Sequence, residues 1–171
     1  MAVVMGATYP DRYAAIAVHS GCEYGGLSCG AGGGPDPVRQ GALAHQAMGA
    51  HVRVVPVIVF QGDADFIVPP INADQVVQQW ISTNDYADDG SRNGSVPTTR
   101  SSTASGQAAG GQRYDVDYYV DRTGGPLIER WLVRGMGHGW SGGCVCEPFT
   151  DPSGPDATAA TYAFFEAHPN P

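Results

Sequence analysis

Lysine is absent from this sequence of 171 residues, and its nine basic side chains are all arginine. The arginines form no run, and 17 acidic residues bring the formal net charge to −8. Nucleic-acid binding needs a clustered positive footprint, so nucleic acid is not expected as a partner. An acidic surface instead suits a protein that handles neutral or apolar molecules. Long apolar runs are missing too: none approaches the roughly 20 residues of a membrane span, and no membrane partner is expected. Met1-Ala2-Val3-Val4-Met5 lacks a basic leader and its apolar run stops at Gly6, so it does not read as a secretion signal. No internal repeat is evident.

Cysteine is sparse, with Cys22, Cys29, Cys144 and Cys146 alone. Even parity permits two disulfides and leaves their connectivity open. Cys144 and Cys146 are too close in sequence to favour each other, so each is expected to reach a distant partner. A four-thiolate zinc site is disfavoured because the Cys22–Cys29 spacing is longer than in zinc ribbons. Loop-stapling disulfides in an oxidising compartment are expected, with no metal site and no cofactor.

What is present is enough for one domain with a real core, since 42% of the residues are hydrophobic. Met1 to Ala7 reads as the tail of an apolar helix and Tyr13 to His19 as a short buried strand. A Gly-rich loop covers Ser20 to Pro37, and Val38 to Met48 is loosely helical. Val52 to Phe60 is the strongest strand, apolar on both faces as parallel strands covered by helices are. Pro56 is tolerable only near the start of its paired part. Ala73, Val76, Val77, Trp80 and Ile81 follow helical spacing, with Asn72 as N-cap and Gln75 three residues on. Residues 84–112 are polar, rich in Gly, Ser and Thr, and read as a low-complexity surface loop. Alternation over Tyr114–Val120, the turn at Thr123-Gly124-Gly125-Pro126 and Leu127–Val133 predict a β-hairpin. Ala157 to Ala167 closes the chain as a helix capped by Asp156. The order is an α/β pattern amounting to half of a doubly wound sheet.

Two segments carry the chemistry. Gly62-Asp63-Ala64-Asp65 and Gly135 to Gly143 each end an apolar strand, and each delivers one reactive side chain just beyond it. In open α/β sheets ligands bind outside the carboxyl ends of the strands, so Asp65 and His138 can converge there. A carboxylate followed by a histidine is the order of a Ser…Asp…His hydrolase. His138 is the expected base and Asp65 the acid that orients it; Asp63, nearer the strand end, suits a turn. Two windows match Gly-x-Ser-x-Gly: Gly26-Leu27-Ser28-Cys29-Gly30 and Gly139-Trp140-Ser141-Gly142-Gly143. Neither opens a helix, which the nucleophile turn requires, so Ser28 and Ser141 read as decoys.

These motifs, in order, make the chain resemble the extracellular polyhydroxyalkanoate (polyhydroxybutyrate) depolymerase-like esterases, α/β-hydrolases near the feruloyl and acetylxylan esterases. The resemblance runs from Tyr9-Pro10-Asp11 and Ala17-Val18-His19-Ser20-Gly21 through Phe60-Gln61-Gly62-Asp63-Ala64-Asp65 and Asn72-Ala73-Asp74-Gln75. It continues over Asp88-Asp89-Gly90, Asn93-Gly94-Ser95, Gly137-His138-Gly139-Trp140-Ser141 and Thr150-Asp151-Pro152 to Gly154-Pro155-Asp156-Ala157. It implies Asp65 and His138 as triad acid and base. Trp140, next to the histidine, is placed either to line the ester pocket or simply to pack the loop. Met1-Ala2-Val3-Val4-Met5-Gly6 is similar to the helix that follows the family's nucleophile. The chain is therefore expected to be a partial α/β-hydrolase domain over 1–171, the C-terminal half of the sheet, with the nucleophile elbow absent. Cys144-Val145-Cys146 departs from the small polar residues expected there, and a link to Cys22 or Cys29 on the same rim is conceivable.

The expected function is a secreted serine-type carboxylic ester hydrolase acting on polyester or acyl/aryl esters, inactive until the missing N-terminal half is supplied. Weighed against it are a feruloyl/acetylxylan-type esterase fragment, a serine peptidase of the same fold, and a non-catalytic short interaction protein.

Overall fold

The computed structural model describes residues 1–26 and 29–169. In chain order the elements are α1 (Ala2–Thr8), β1 (Ile16–His19), α2 (Pro37–Met48), β2 (Val57–Gly62), α3 (Ile71–Asp89), β3 (Ser102–Gln107), β4 (Arg113–Val120), β5 (Pro126–Val133), β6 (Trp140–Ser141), β7 (Thr150–Asp151) and α4 (Ala157–Ala167). β1 to β5 form one sheet in the order β1-β2-β5-β4-β3, and β6 pairs with β7. β1, β2 and β5 are parallel, and β4 and β3 extend the sheet antiparallel. This is a mixed α/β architecture of the α/β-hydrolase-like kind, with helices on both faces.

β2 lies inside the sheet between β1 and β5, and every one of its residues is buried. Strand side chains alternate between faces, so β2 serves both cores. Val57 and Val59 pack with α1, α2 and α3 through Val3, Ala44, Met48, Val76, Val77 and Trp80. Ile58 and Phe60 face α4, meeting Ala157 and Phe164. The paired strand starts only at Val57, later than its apolar run, because Pro56 has no N–H to give a ladder. Just before it, the Asn84 side-chain amide satisfies both backbone groups of Val55, at 2.8 and 2.9 Å.

The hairpin β4–β5 and helix α4 form as the residue pattern implies, with Asp156 accepting from Ala159 N–H at 2.9 Å. Asn72 is not the N-cap of α3. Pro70 occupies that position, and the Asn72 amide donates to the carbonyls of Pro69 and Cys29. Gln75 likewise leaves the helix end and bridges Gly34 and Pro35.

Residues 84–112 are not one loop. α3 runs on to Asp89 and ends at Gly90, and Ser102–Gln107 pairs with β4 as an edge strand. Buried Asp85 organises the turn between them, accepting from Gly94 and Val96 N–H and from the Ser95 hydroxyl. β3 is built of small polar residues, so its edge position conceals it from a hydrophobicity pattern.

The disulfides are also local: Cys22–Cys29 and Cys144–Cys146, not links across the rim. Residues two apart on non-helical backbone project to one side, which offsets the objection that Cys144 and Cys146 are too close. Their Cα atoms lie 5.2 Å apart, with Val145 turned out to solvent.

Glu23, in the loop after β1, is buried, and neither of its carboxylate oxygens has a hydrogen-bond partner among the described residues. Burial, aided by the nearby Asp36 charge, pushes its carboxyl up to about 7. Between pH 4.5 and about 7 the folded chain holds this proton while the unfolded chain releases it. Stability therefore falls as pH rises through that window. Glu23→Gln is expected to flatten this slope in urea melts at pH 5 and pH 8, and to stabilise the pH 8 protein by about 1–2 kcal/mol.

Candidate active site

The parallel strands β1, β2 and β5 end on the same edge of the sheet, and the candidate site is built on the loops that leave them. Gly62, the last residue of β2, is where the loops meet. A Cβ there would sit 2.1 Å from the carbonyl oxygen of Met136, so only glycine lets the two backbones touch. Asp63 N–H donates to Val133 and Ala64 N–H to Met136, at 3.1 and 3.0 Å. The Asp63 carboxylate accepts from Gly135 N–H at 2.6 Å and pairs with Arg134. Asp63 therefore ties the two loops together, a turn role.

Asp65 lies one turn further on and is only 2% exposed. Its Oδ1 accepts from the N–H groups of Ile67 and Val68, at 2.9 and 2.8 Å. Its Oδ2 accepts from the Gln61 amide at 3.1 Å and meets His138 Nδ1 at 2.9 Å. Burial alone would raise the carboxyl's pKa, but the hydrogen bonds from Val68, His138 and Ile67 together hold it below the ordinary value. An ionised carboxylate only accepts, so the proton of the shared bond sits on His138 Nδ1. In the neutral ring Nε2 is then bare, the form that can take a proton.

His138 lines a cavity of about 180 Å³ with His19, Ser20, Gly139, Trp140 and Phe149. Trp140 donates its indole N–H to Thr158 and stacks on the His19 ring at 4.9 Å. Phe149 meets His138 edge-on at 6.0 Å and holds a left-handed backbone, with φ of 59°. Ser141 is fully buried and its hydroxyl donates to Pro155, so it presents no nucleophile to His138. Ser28 lies outside the described residues.

His19 and Ser20 stand in one of the segments that carry the resemblance, but the sequence assigned them no role. The signal that could have found them is the one that located Asp65 and His138, a polar residue just past an apolar parallel strand. His19 is sandwiched between Phe60 and Trp140 and accepts from Ser141 N–H at Nε2, 3.0 Å. Burial, with help from the neighbouring His138 and against the pull of Asp65, lowers its pKa to about 4. Two histidines thus share one cavity, one turned to a carboxylate and the other to a backbone amide. No metal-type cluster of His, Cys, Asp or Glu occurs among the described residues.

Gly62→Ala forces the Asp65 and His138 loops apart, because the clash is with backbone on both sides. It is expected to cost about 2–4 kcal/mol in chemical denaturation. It should also abolish the downfield Nδ1 proton resonance of His138 that a carboxylate partner produces.

No family model matches the chain. The chain is similar to poly(3-hydroxyalkanoate) depolymerase C of Paucimonas lemoignei, with 30% identity over 81% of this chain and 32% of that protein. It thus spans about a third of the length of the curated relative it matches. This chain is a distant relation of that depolymerase.

Proposed function

We propose that Asp65 and His138 are the acid and base of a serine-type carboxylic ester hydrolase of the polyhydroxybutyrate depolymerase-like group. The observation that carries this reading is the 2.9 Å contact between Asp65 Oδ2 and His138 Nδ1. It leaves Nε2 as the ring's free base beside a cavity. His138 would take the proton of an attacking hydroxyl and return it to the leaving alcohol, and Asp65 would hold the tautomer and stabilise the imidazolium. Water would then hydrolyse the acyl-enzyme by the same proton path.

The nucleophile on this reading comes from a segment outside these 171 residues, which supply acid and base. The engaged hydroxyl of Ser141 supports it, as does a relative of which this chain matches only 32%. Polyester or acyl/aryl esters are the substrate class. The apolar side chains Phe66, Val145 and Phe149, exposed on the loops after Asp65 and His138, suit apolar acyl groups, and Trp140 would line the acyl pocket. The two disulfides support an extracellular setting.

A chimera in which this chain replaces the matched segment of depolymerase C tests the reading with p-nitrophenyl butyrate. The chimera should hydrolyse the ester, and the chain alone should stay at background. In the chimera, His138→Ala and Asp65→Asn should each lower kcat/KM by roughly 10²–10⁴-fold. Full activity in the His138→Ala chimera, or hydrolysis by the chain alone that disappears in Ser141→Ala, would overturn it.

A further inference from the structure

Ser20 follows β1 directly and is one of two non-glycine residues with positive φ among those described, at 48°. The left-handed region is costly for a serine, and such outliers persist where the surroundings over-determine them. Here the surroundings are explicit. Ser20 N–H donates to Phe60 at 2.9 Å, its side chain is 3.2 Å from His19 Nδ1, and the residue is largely buried.

The direction of these hydrogen bonds follows from one group. The backbone N–H of Ser141 can only donate, and it donates to His19 Nε2. His19 Nε2 is therefore bare, and the proton of the neutral ring lies on Nδ1. Nδ1–H must then donate to Ser20 Oγ, so the serine oxygen is an acceptor there. The hydroxyl proton of Ser20 is left over, and the residue lines the same cavity as His138. Stacking against Phe60 and Trp140 holds the imidazole plane, and within that plane a half-turn of the ring would put Cε1 against the Ser141 N–H, so that hydrogen bond fixes which way the chain runs.

We propose that Ser20 is a substrate-binding residue whose hydroxyl donates a hydrogen bond to the acyl oxygen of a carboxylic ester seated against His138. His19 is the positioning residue that orients it. The assignment rests on the ester-site reading above. It gives the cavity a neutral donor of fixed direction beside the base, and it selects ligands with an acceptor oxygen over hydrocarbons of the same shape. Ser20 is followed by Gly21-Cys22-Glu23 in a loop rather than by a helix, so it lacks the helix N-terminus that a nucleophilic serine uses.

The test uses the full chain and methyl butyrate as probe. Nitrogen-15 spectra at pH 7 should show His19 protonated at Nδ1 and bare at Nε2. Titration of the ester should shift His138 and Gly139 resonances. Ser20→Ala and Ser20→Gly should each raise the dissociation constant about 5–10-fold. Ser20→Gly should at the same time be at least as stable as the parent, because glycine accepts φ of 48° without strain, whereas a purely structural serine would lose stability. A His19 ring protonated at Nε2, or unchanged affinity in both variants while His138 still responds, would overturn the assignment and leave the ester-site reading standing. Absence of any His138 response in the parent chain would overturn the assignment, while the ester-site reading stands or falls on hydrolysis by the chimera. Covalent capture of Ser20 by a fluorophosphonate would overturn it in favour of a nucleophilic serine.

Discussion

Burial of β2 on both faces and along both edges is the constraint on which the rest of the molecule depends. A strand with no face toward water must give every backbone group to its neighbours, and β2 does so by pairing in parallel with β1 and β5. Parallel pairing aligns the carboxyl ends of the strands, so three loops emerge side by side. Each brings a distinct group: an imidazole and hydroxyl from β1, a carboxylate from β2 and a second imidazole after β5. The contact at Gly62 then sets the spacing between two of those loops to backbone–backbone distance. Local sequence supplies the side chains, and the buried strand β2 supplies their convergence.

The two histidines show how environment assigns opposite duties to one side chain. His138 faces a carboxylate buried among backbone N–H donors, so its Nδ1 is the donor. His19 faces a backbone amide, so its Nε2 is the acceptor, and burial keeps the ring neutral. One ring points its Nδ1 proton at a carboxylate and the other points its own at Ser20. Pushing apart the behaviour of like groups by their surroundings is a general route to acid–base function at neutral pH.

Much of this was legible in the sequence, for physical reasons. Elements that bury an apolar face announce themselves by period, which is why the hairpin, α4 and the core of α3 lie where the spacing puts them. Asp65 and His138 were legible because strand-end position in an α/β sheet carries chemical meaning, and the structure brings them into contact. β3 was not, since a solvent-exposed edge strand of Ser, Thr and Ala has no hydrophobic pattern to show. Nor were Ser20 and His19: the backbone angle of the one and the amide partner of the other exist only once β1, β2 and β6 are assembled. Two disulfides were expected and are present, but the pairing of Cys144 with Cys146 escaped, because separation along the chain is a poor guide where a turn folds the backbone on itself.

The Cys144–Cys146 link has a further consequence, expressed in entropy rather than contact. It closes a ring within its own loop and joins no other element, so it adds little to the hold between distant parts of the chain. The Thr150 hydroxyl completes the arrangement, its single proton shared between the carbonyls of Cys144 and Glu147. Residues 144–150, which carry Phe149 to the cavity, are thus tied to themselves by one covalent link and one shared hydroxyl. Were a ligand to settle against Phe149, less loop disorder would remain to be suppressed than on an untied turn, and more of the free energy of contact would be kept as affinity.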